Sequence, residues 1–297
     1  MASPARAALA AQQRAEQLAS TLPPLLVAAE RVAATVEQGV HGRRRVGPGE
    51  TFWQFRRYEP GDPTTKIDWR QSAKSDRTFV REMEWAAAQS VWLWRDGSAS
   101  MRYRSADTLP QKIERADLVT LALATLLVRG GERVALLGSG LPPASGRALL
   151  GRLALQLARA EAPEESLPRV EPLPRHASLV LVGDFLSPLE EIESVLRRFA
   201  QRGVRGHLLQ ILDPAEESLP FTGRIRFLGV EGEGETLLSR VETVRQAYVD
   251  RLKAHREGLG ALARAIGWSL STMRTDRPPQ AALLALYLLM SEPRGLK

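Results

Sequence analysis

The segment Val91-Trp92-Leu93-Trp94-Arg95-Asp96-Gly97-Ser98-Ala99-Ser100-Met101 ends an apolar run in an aspartate and then sets two hydroxyls at alternate positions. A buried strand here delivers Asp96 to its carboxyl end. The turn that follows points Ser98 and Ser100 back toward the same place. One carboxylate and two hydroxyls are all oxygen donors, a set that suits a hard cation such as Mg²⁺. A second apolar run, Ser178–Val182, ends in Gly183-Asp184. In an open parallel sheet, ligands bind beyond the carboxyl ends of the strands, near the switch in strand order. If the two strands are neighbours, Asp96, Ser98, Ser100 and Asp184 converge there. An acid and a serine at a strand end also serve as a helix N-cap or tight turn.

The rest of the chain supplies elements able to hold such a cluster. From residue 89 onward, strands are expected at Ser90–Arg95, Arg133–Leu137, Ser178–Val182, Gly206–Leu212, Arg224–Leu228 and Trp268–Met273. Helices are expected at Leu109–Val128, Ala148–Ala160, Pro188–Gln201, about 237–266 and Ala281–Met290. Apolar strands separated by helices predict an α/β fold, a mostly parallel Rossmann-like sheet with helices on both faces. Residues 1–41 read as an N-terminal helical segment broken at Pro23-Pro24. Its second piece places Leu25, Val27, Ala28, Val32 and Val36 on a core-facing stripe. Residues 42–87 read as loops and short strands packed on the main domain, residues 88–297. Gly229–Glu235 reads as a solvated loop.

Composition narrows the chemistry. The absence of cysteine removes disulfides, thiolate metal sites and cysteine nucleophiles, and fits a reducing cytoplasm. His41, His176, His207 and His255 are far apart without ligand-like spacing, and are expected at the surface or at helix ends. The net charge of +7 is interleaved with acids along helices, so it reads as solvated faces rather than a nucleic-acid surface. No secretory signal or transmembrane run is expected, since Leu118–Val128 and Ala281–Met290 fall short of about 20 apolar residues. Peripheral membrane contact stays open.

Within 42–87, turn signals at Pro60-Gly61 and Asp62-Pro63 precede an alternating strand at Thr78–Trp85. Arg56, Arg57, Asp62, Lys66, Asp68 and Arg70 present two alternatives. Either they form a charged surface for a partner, or Arg57 pairs internally with Asp62 or Asp68 while Tyr58, Ile67 and Trp69 are buried. In both cases Arg57, Asp62, Lys66, Asp68 and Arg70 are the partner-binding candidates.

The D-x-S-x-S spacing is similar to the metal-ion-dependent adhesion site of von Willebrand factor A domains. The chain as a whole resembles the family called domain of unknown function 58, often encoded beside MoxR-type AAA+ ATPases. The matching residues are Gly42-Arg43-Arg44, Arg57-Tyr58-Glu59-Pro60-Gly61-Asp62-Pro63, Lys66-Ile67-Asp68-Trp69, Ser72-Ala73 and Phe79-Val80-Arg81-Glu82. Asp96-Gly97-Ser98-Ala99-Ser100-Met101 and Gly131-Glu132-Arg133-Val134 follow in order. The resemblance implies a von Willebrand factor A-like fold and a role as accessory factor to a MoxR-type ATPase in assembling or maturing other proteins. It also implies a third-loop threonine after the second long strand. Here that region reads Ser139-Gly140-Leu141-Pro142-Pro143-Ala144-Ser145-Gly146-Arg147, and Ser145 is the substitute hydroxyl expected. A site lacking that donor binds Mg²⁺ weakly or only when a partner completes it. Many family members carry transmembrane helices before the motif region, and this chain is expected to be a cytoplasmic variant.

Three functions follow. A non-enzymatic adaptor would grip an acidic group of a client or ATPase through the metal site, with Asp96 facing solvent. A Mg²⁺-dependent phosphoryl-transfer enzyme would use Asp96 as nucleophile. Haloacid-dehalogenase-like sites place a general-acid aspartate two residues on, however, where this chain has Ser98, and no phosphate-binding glycine loop is found. A nucleic-acid-binding module would use the basic balance and the aromatics near Trp53 and Phe55, but no recognised motif accompanies them. The adaptor is the expected function.

Overall fold

The crevice expected at a change of strand order is present between the second and third strands of a five-stranded sheet. The computed structural model describes residues 29–37, 52–58, 67–74, 77–83, 90–159, 166–229 and 234–291. The sheet consists of β3 (Ser90–Arg95), β4 (Arg133–Leu136), β5 (Ser178–Gly183), β6 (Arg205–Leu212) and β9 (Ser269–Arg274), in the order β4-β3-β5-β6-β9. All four pairings are parallel. The chain steps from β3 outward to β4, then crosses back to lay β5 on the other side of β3. That reversal opens the crevice at the carboxyl ends of β3 and β5.

Alternation along the strands assigns the two faces. Val91, Leu93, Val180, Val182, Leu209 and Ile211 face α1 (29–37), α3 (Lys112–Arg129), α4 (Arg147–Arg159) and α8 (Pro279–Ser291). Trp92, Leu179, Leu181 and Leu208 face α5 (Leu189–Ala200) and α7 (Glu242–Ala265). In α1, Val32 and Val36 are buried as expected, with Ala29 and Ala33; Leu25, Val27 and Ala28 lie outside the described residues. No helix among the described residues is long and apolar enough to cross a membrane.

Two small features accompany the sheet. Strands β1 (Phe52–Arg57) and β2 (Phe79–Met83) pair antiparallel, with the one-turn helix α2 (Trp69–Ser72) between them. The Asp68 backbone N–H donates to Phe79 O at 2.9 Å, tying α2 to that hairpin. A second hairpin, β7 (Ile225–Leu228) with β8 (Glu235–Leu238), corrects the expectation of a helix from 237, because α7 begins only at Glu242. The five-residue helix α6 (Pro214–Ser218) was not expected.

Several single-residue expectations also change. His207 is neither on the surface nor at a helix end. It lies on β6, 9% exposed, with Nδ1 2.8 Å from Ser269 Oγ, because a ring in mid-strand is enclosed by both neighbouring strands. Trp69 is 69% exposed, against the alternative in which it is buried, while Tyr58 and Ile67 are half-buried. His41 lies outside the described residues.

The close fit of β6 to β9 depends on Gly206. A Cβ there would fall 1.9 Å from the ring of Trp268, which is 3% exposed and donates from Nε1 to Val204 O at 3.2 Å. Overpacking of this kind costs about 1–3 kcal/mol and sometimes more. Gly206→Ala is therefore expected to lower stability by about 3 kcal/mol, with Trp268 fluorescence shifted toward the solvent-exposed range. Urea unfolding followed by that fluorescence checks both, and an unchanged midpoint would contradict the packing described.

Candidate functional site

Asp96 follows β3 directly, and its N–H continues the parallel ladder by donating to Val182 O at 2.8 Å. One residue beyond β5 stands Asp184, so the two carboxylates flank the crevice. Their approach is allowed by Gly183: a Cβ on it would lie 2.9 Å from Asp96 Cβ and 3.2 Å from Asp96 Oδ2. The glycine beside the second aspartate is thus a steric requirement of the first. Immediately after Asp184 the chain turns through Phe185, whose left-handed backbone (φ 50) is unusual for a bulky residue and is held by burial of its ring.

The expected donors meet. Ser98 N–H donates to Asp96 Oδ1 at 2.9 Å, fixing that carboxylate over the turn. Ser100 Oγ donates to Asp184 Oδ2 at 2.7 Å, and Ser98 Oγ lies 3.1 Å from Ser100 Oγ. Since the Ser100 proton is committed to Asp184, Ser98 is the donor to Ser100. A short 3₁₀ turn, Ala99–Arg102, with Met101 fully buried, carries Ser100 back over the strand end.

Two expectations fail here. Asp96 does not face solvent: it is 1% exposed, as is Ser98, with Asp184 at 2%, because the strand tips are closed over by the turns that follow them. Ser100 is the half-buried member that reaches toward the surface. Ser145 is not beside the cluster. Its neighbour Ala144 bridges Val134, the register partner of Val91, five residues before Asp96. At about 3.3 Å per residue that is roughly 16 Å along the strand, toward the opposite end of the sheet. The nearer hydroxyl in sequence, Ser139, lies in the tight turn that ends β4 after Leu136, where its N–H returns to Leu136 O at 3.3 Å. Its Oγ donates to Leu136 O at 2.6 Å.

Residues outside the expected set complete the cluster. Lys112, at the start of α3, is fully buried; its Nζ lies 2.9 Å from Asp184 Oδ2 and 2.5 Å from Glu216 Oε1. Glu216 is delivered by a capping box on α6. Asp213 Oδ1 accepts from Ala215 N at 2.8 Å, and Glu216 Oε2 accepts from Asp213 N at 2.7 Å. Gln210 Nε2 holds the Asp184 carbonyl at 2.8 Å. Burial works against the Lys112 ammonium, but Asp184 and Glu216 on either side raise its value above the ordinary lysine range, while burial raises the Glu216 carboxyl despite the lowering effect of Lys112. Burial, then the charge of Glu216, pushes the Tyr248 phenol up to about 12. Sequence signals for these residues existed: Asp213-Pro214-Ala215-Glu216 is a capping-box pattern, and Lys112 puts a cation in a helix first turn, where the dipole favours an anion. Among the described residues, no group of three or more acidic or histidine side chains is placed to hold a metal alone.

Behind Asp96, Arg95 is anchored in the core. Its Nε forms a 2.7 Å ion pair with Asp117 Oδ1 whose angle falls short of a hydrogen bond, and Nη2 donates to Leu157 O at 2.9 Å. Burial raises the Asp117 carboxyl from 3.8 to about 6 despite the lowering effect of Arg95.

Of the other candidates, Arg57 and Arg70 are exposed and Asp68 is half-buried; Asp62 and Lys66 lie outside the described residues.

Fold and cluster together define an α/β protein with an oxygen-rich, charge-compensated centre at the tips of two adjacent parallel strands. The chain belongs to the family described as Protein of unknown function DUF58, which it matches over residues 54–258. It is 26% identical over 285 residues to the uncharacterized protein Rv1480 of Mycobacterium tuberculosis, covering 88% of this chain and 86% of that one. The uncharacterized protein Mb1516 of Mycobacterium bovis aligns with the same figures. Among solved structures, an aerotolerance-related membrane protein from Bacteroides fragilis gives a TM-score of 0.38 at 15% identity, covering 68% of this chain and 98% of its own. BatB from Bacteroides thetaiotaomicron gives 0.37 at 15%, covering 69% and 99%.

Two outcomes are expected. Gly183→Ala should displace Asp96 and cost about 1–3 kcal/mol in urea unfolding, with the shift visible in a crystal structure of the variant. Asp117 should titrate near pH 6 by carboxyl-carbon NMR. Because its folded value lies above its unfolded one, its contribution to stability is fullest below about pH 4 and is lost as pH rises from about 4 to about 6. A midpoint below 4 would mean that Arg95 dominates over burial.

Proposed function

We propose that this chain is a non-enzymatic protein-interaction module, an adaptor that works with a MoxR-type AAA+ ATPase in assembly or maturation of other proteins. Its contact centre is the strand-tip cluster. The observation that carries the reading is the hydrogen-bonded series Ser98–Ser100–Asp184 beside Asp96, at the crevice where strand order reverses. Hydroxyl and carboxylate oxygens fit a hard divalent cation, and Asp96, Ser98, Ser100 and Asp184 are the residues that would hold Mg²⁺. Bound there, the ion supplies a positive centre for an acidic side chain of the partner. The chain's own groups do the positioning: the Ser98 N–H orients Asp96, Gly183 lets the strands close, and Ser100 presents the cluster to the outside.

A second contact is proposed along Arg57, Asp62, Lys66, Asp68 and Arg70, supported by the exposure of Arg57, Arg70 and the intervening Trp69. A buried aspartate whose nearest hydroxyl neighbour is a serine is a poor arrangement for a phosphoryl-accepting nucleophile paired with a general acid, which supports binding over turnover. A cytoplasmic setting belongs to the same reading.

Ser100→Ala tests it, since this side chain is half-buried and the hydrogen bond it gives to the Asp184 carboxylate is worth about 1.5–3 kcal/mol of stability, while Lys112 continues to pair that oxygen. Affinity purification from the native host is expected to recover a MoxR-type ATPase with the wild type and at least tenfold less with the variant, at a temperature where both are folded. Equal recovery would remove the cluster from the contact. Hydrolysis of a generic phosphate ester, abolished by Asp96→Asn, would replace the adaptor with the enzyme.

A further inference from the structure

The cluster already contains a cation. Lys112 Nζ touches the same Asp184 oxygen, Oδ2, that accepts the Ser100 hydroxyl, so the ammonium is one atom removed from the Ser98–Ser100 pair. Lys112 has no exposed surface, and its side chain is fixed at the far side by Glu216. Glu216 in turn cannot swing away freely, since its other oxygen holds the α6 cap. An unpaired ammonium in such a place would be very costly, and so would two facing carboxylates without it.

We propose that Lys112 is the resident cation of this site: it neutralises Asp184 in place of a divalent ion, keeps the strand-tip geometry intact without metal, and sets the divalent affinity of the cluster low by competing for Asp184. The proposal rests on the metal-holding part of the function argued above. A divalent ion that takes Asp184 Oδ2 would have to bear the repulsion of the ammonium or push it away, and with Glu216 Oε1 already 2.5 Å from Nζ and its other oxygen capping α6, a displaced ammonium would move α6 with it. The site is then organised at rest and gains metal only when a further ligand, such as a partner carboxylate, offsets that repulsion.

The test uses the whole chain without a partner. Thermal unfolding of the wild type in EDTA and in 10 mM MgCl₂ is expected to give midpoints within about 1 °C, a shift far below that of a site filled at 100 times its dissociation constant. A rise of several degrees would overturn the proposal, whatever the variants do. Lys112→Met, close in length and uncharged, is expected to unfold at a lower temperature in EDTA and to be rescued by millimolar Mn²⁺. Its Mn²⁺ affinity by electron paramagnetic resonance should exceed that of the wild type at least tenfold. Lys112→Met/Asp184→Asn should lose that gain. Equal Mn²⁺ binding by wild type and Lys112→Met, or a gain that survives Asp184→Asn, would refute the assignment. Should Lys112→Met not fold, the wild-type comparison still decides. Failure here with loss of ATPase capture by Ser100→Ala would discard the resident cation and keep the adaptor; the reverse would discard the adaptor alone.

Discussion

A lysine ammonium with no access to water is the constraint around which this end of the molecule is built. Removing such a charge from water costs several kcal/mol, and the first turn of α3 adds the unfavourable sign of the helix dipole. Both are offset only if two carboxylates lie within contact distance. Asp184 comes from the tip of β5 and Glu216 from α6, with α5 and β6 between them in the chain. The position of α6 therefore follows from the needs of a residue at the start of α3. The capping box at Asp213 is the local device that meets it: one oxygen of Glu216 closes the helix start and the other meets the ammonium.

The same economy of atoms governs the crevice. Adjacent parallel strands sit about 4.8 Å apart, too close for two residues with side chains to pass where Asp96 leans across β5. Gly183 removes the obstacle, and the carboxylate it admits is then held by the Ser98 N–H rather than by solvent. Ser98 and Ser100 are spaced so that one orients a backbone turn and the other reaches the opposite strand tip. Alternate positions in a short 3₁₀ turn make that division possible.

Periodicity made the sheet legible. Runs such as Leu179–Val182 alternate faces between two helical layers, and the expected strands of the five-stranded sheet match the observed ones to within a residue because both faces are covered. The convergence of Asp96, Ser98, Ser100 and Asp184 was legible for the same reason, since strand ends in an open parallel sheet meet at one edge. What escaped depends on relations that local pattern does not carry. Lys112 looks like an ordinary first-turn residue until β5 and α6 are placed against it. Leu237 and Leu238 fit a helical stripe, but cross-strand pairing with Arg226 and Ile225 takes them into a hairpin. His207 looked peripheral by its spacing, yet mid-strand burial overrides that. Residue type points to Ser145, whereas register decides: the bridge from Ala144 to Val134 puts it toward the other end of the strand, and Ser139 is spent on its own turn.

These placements bear on what the cluster can do. A nucleophile has to reach its substrate, and here the carboxylates lie beneath the turn that follows β3, with Ser100 at its outer edge. A recognition centre has a different requirement: a fixed arrangement of dipoles and charge behind a small surface feature, with no atom needing to move for it to exist. Asp96 held by a backbone N–H, Asp184 held by Ser100, Lys112 and the Gln210 grip on its carbonyl, and Glu216 held by its cap meet that requirement. Such preorganisation lowers the ordering cost of binding, which is where an interaction module gains and a mobile catalytic loop does not.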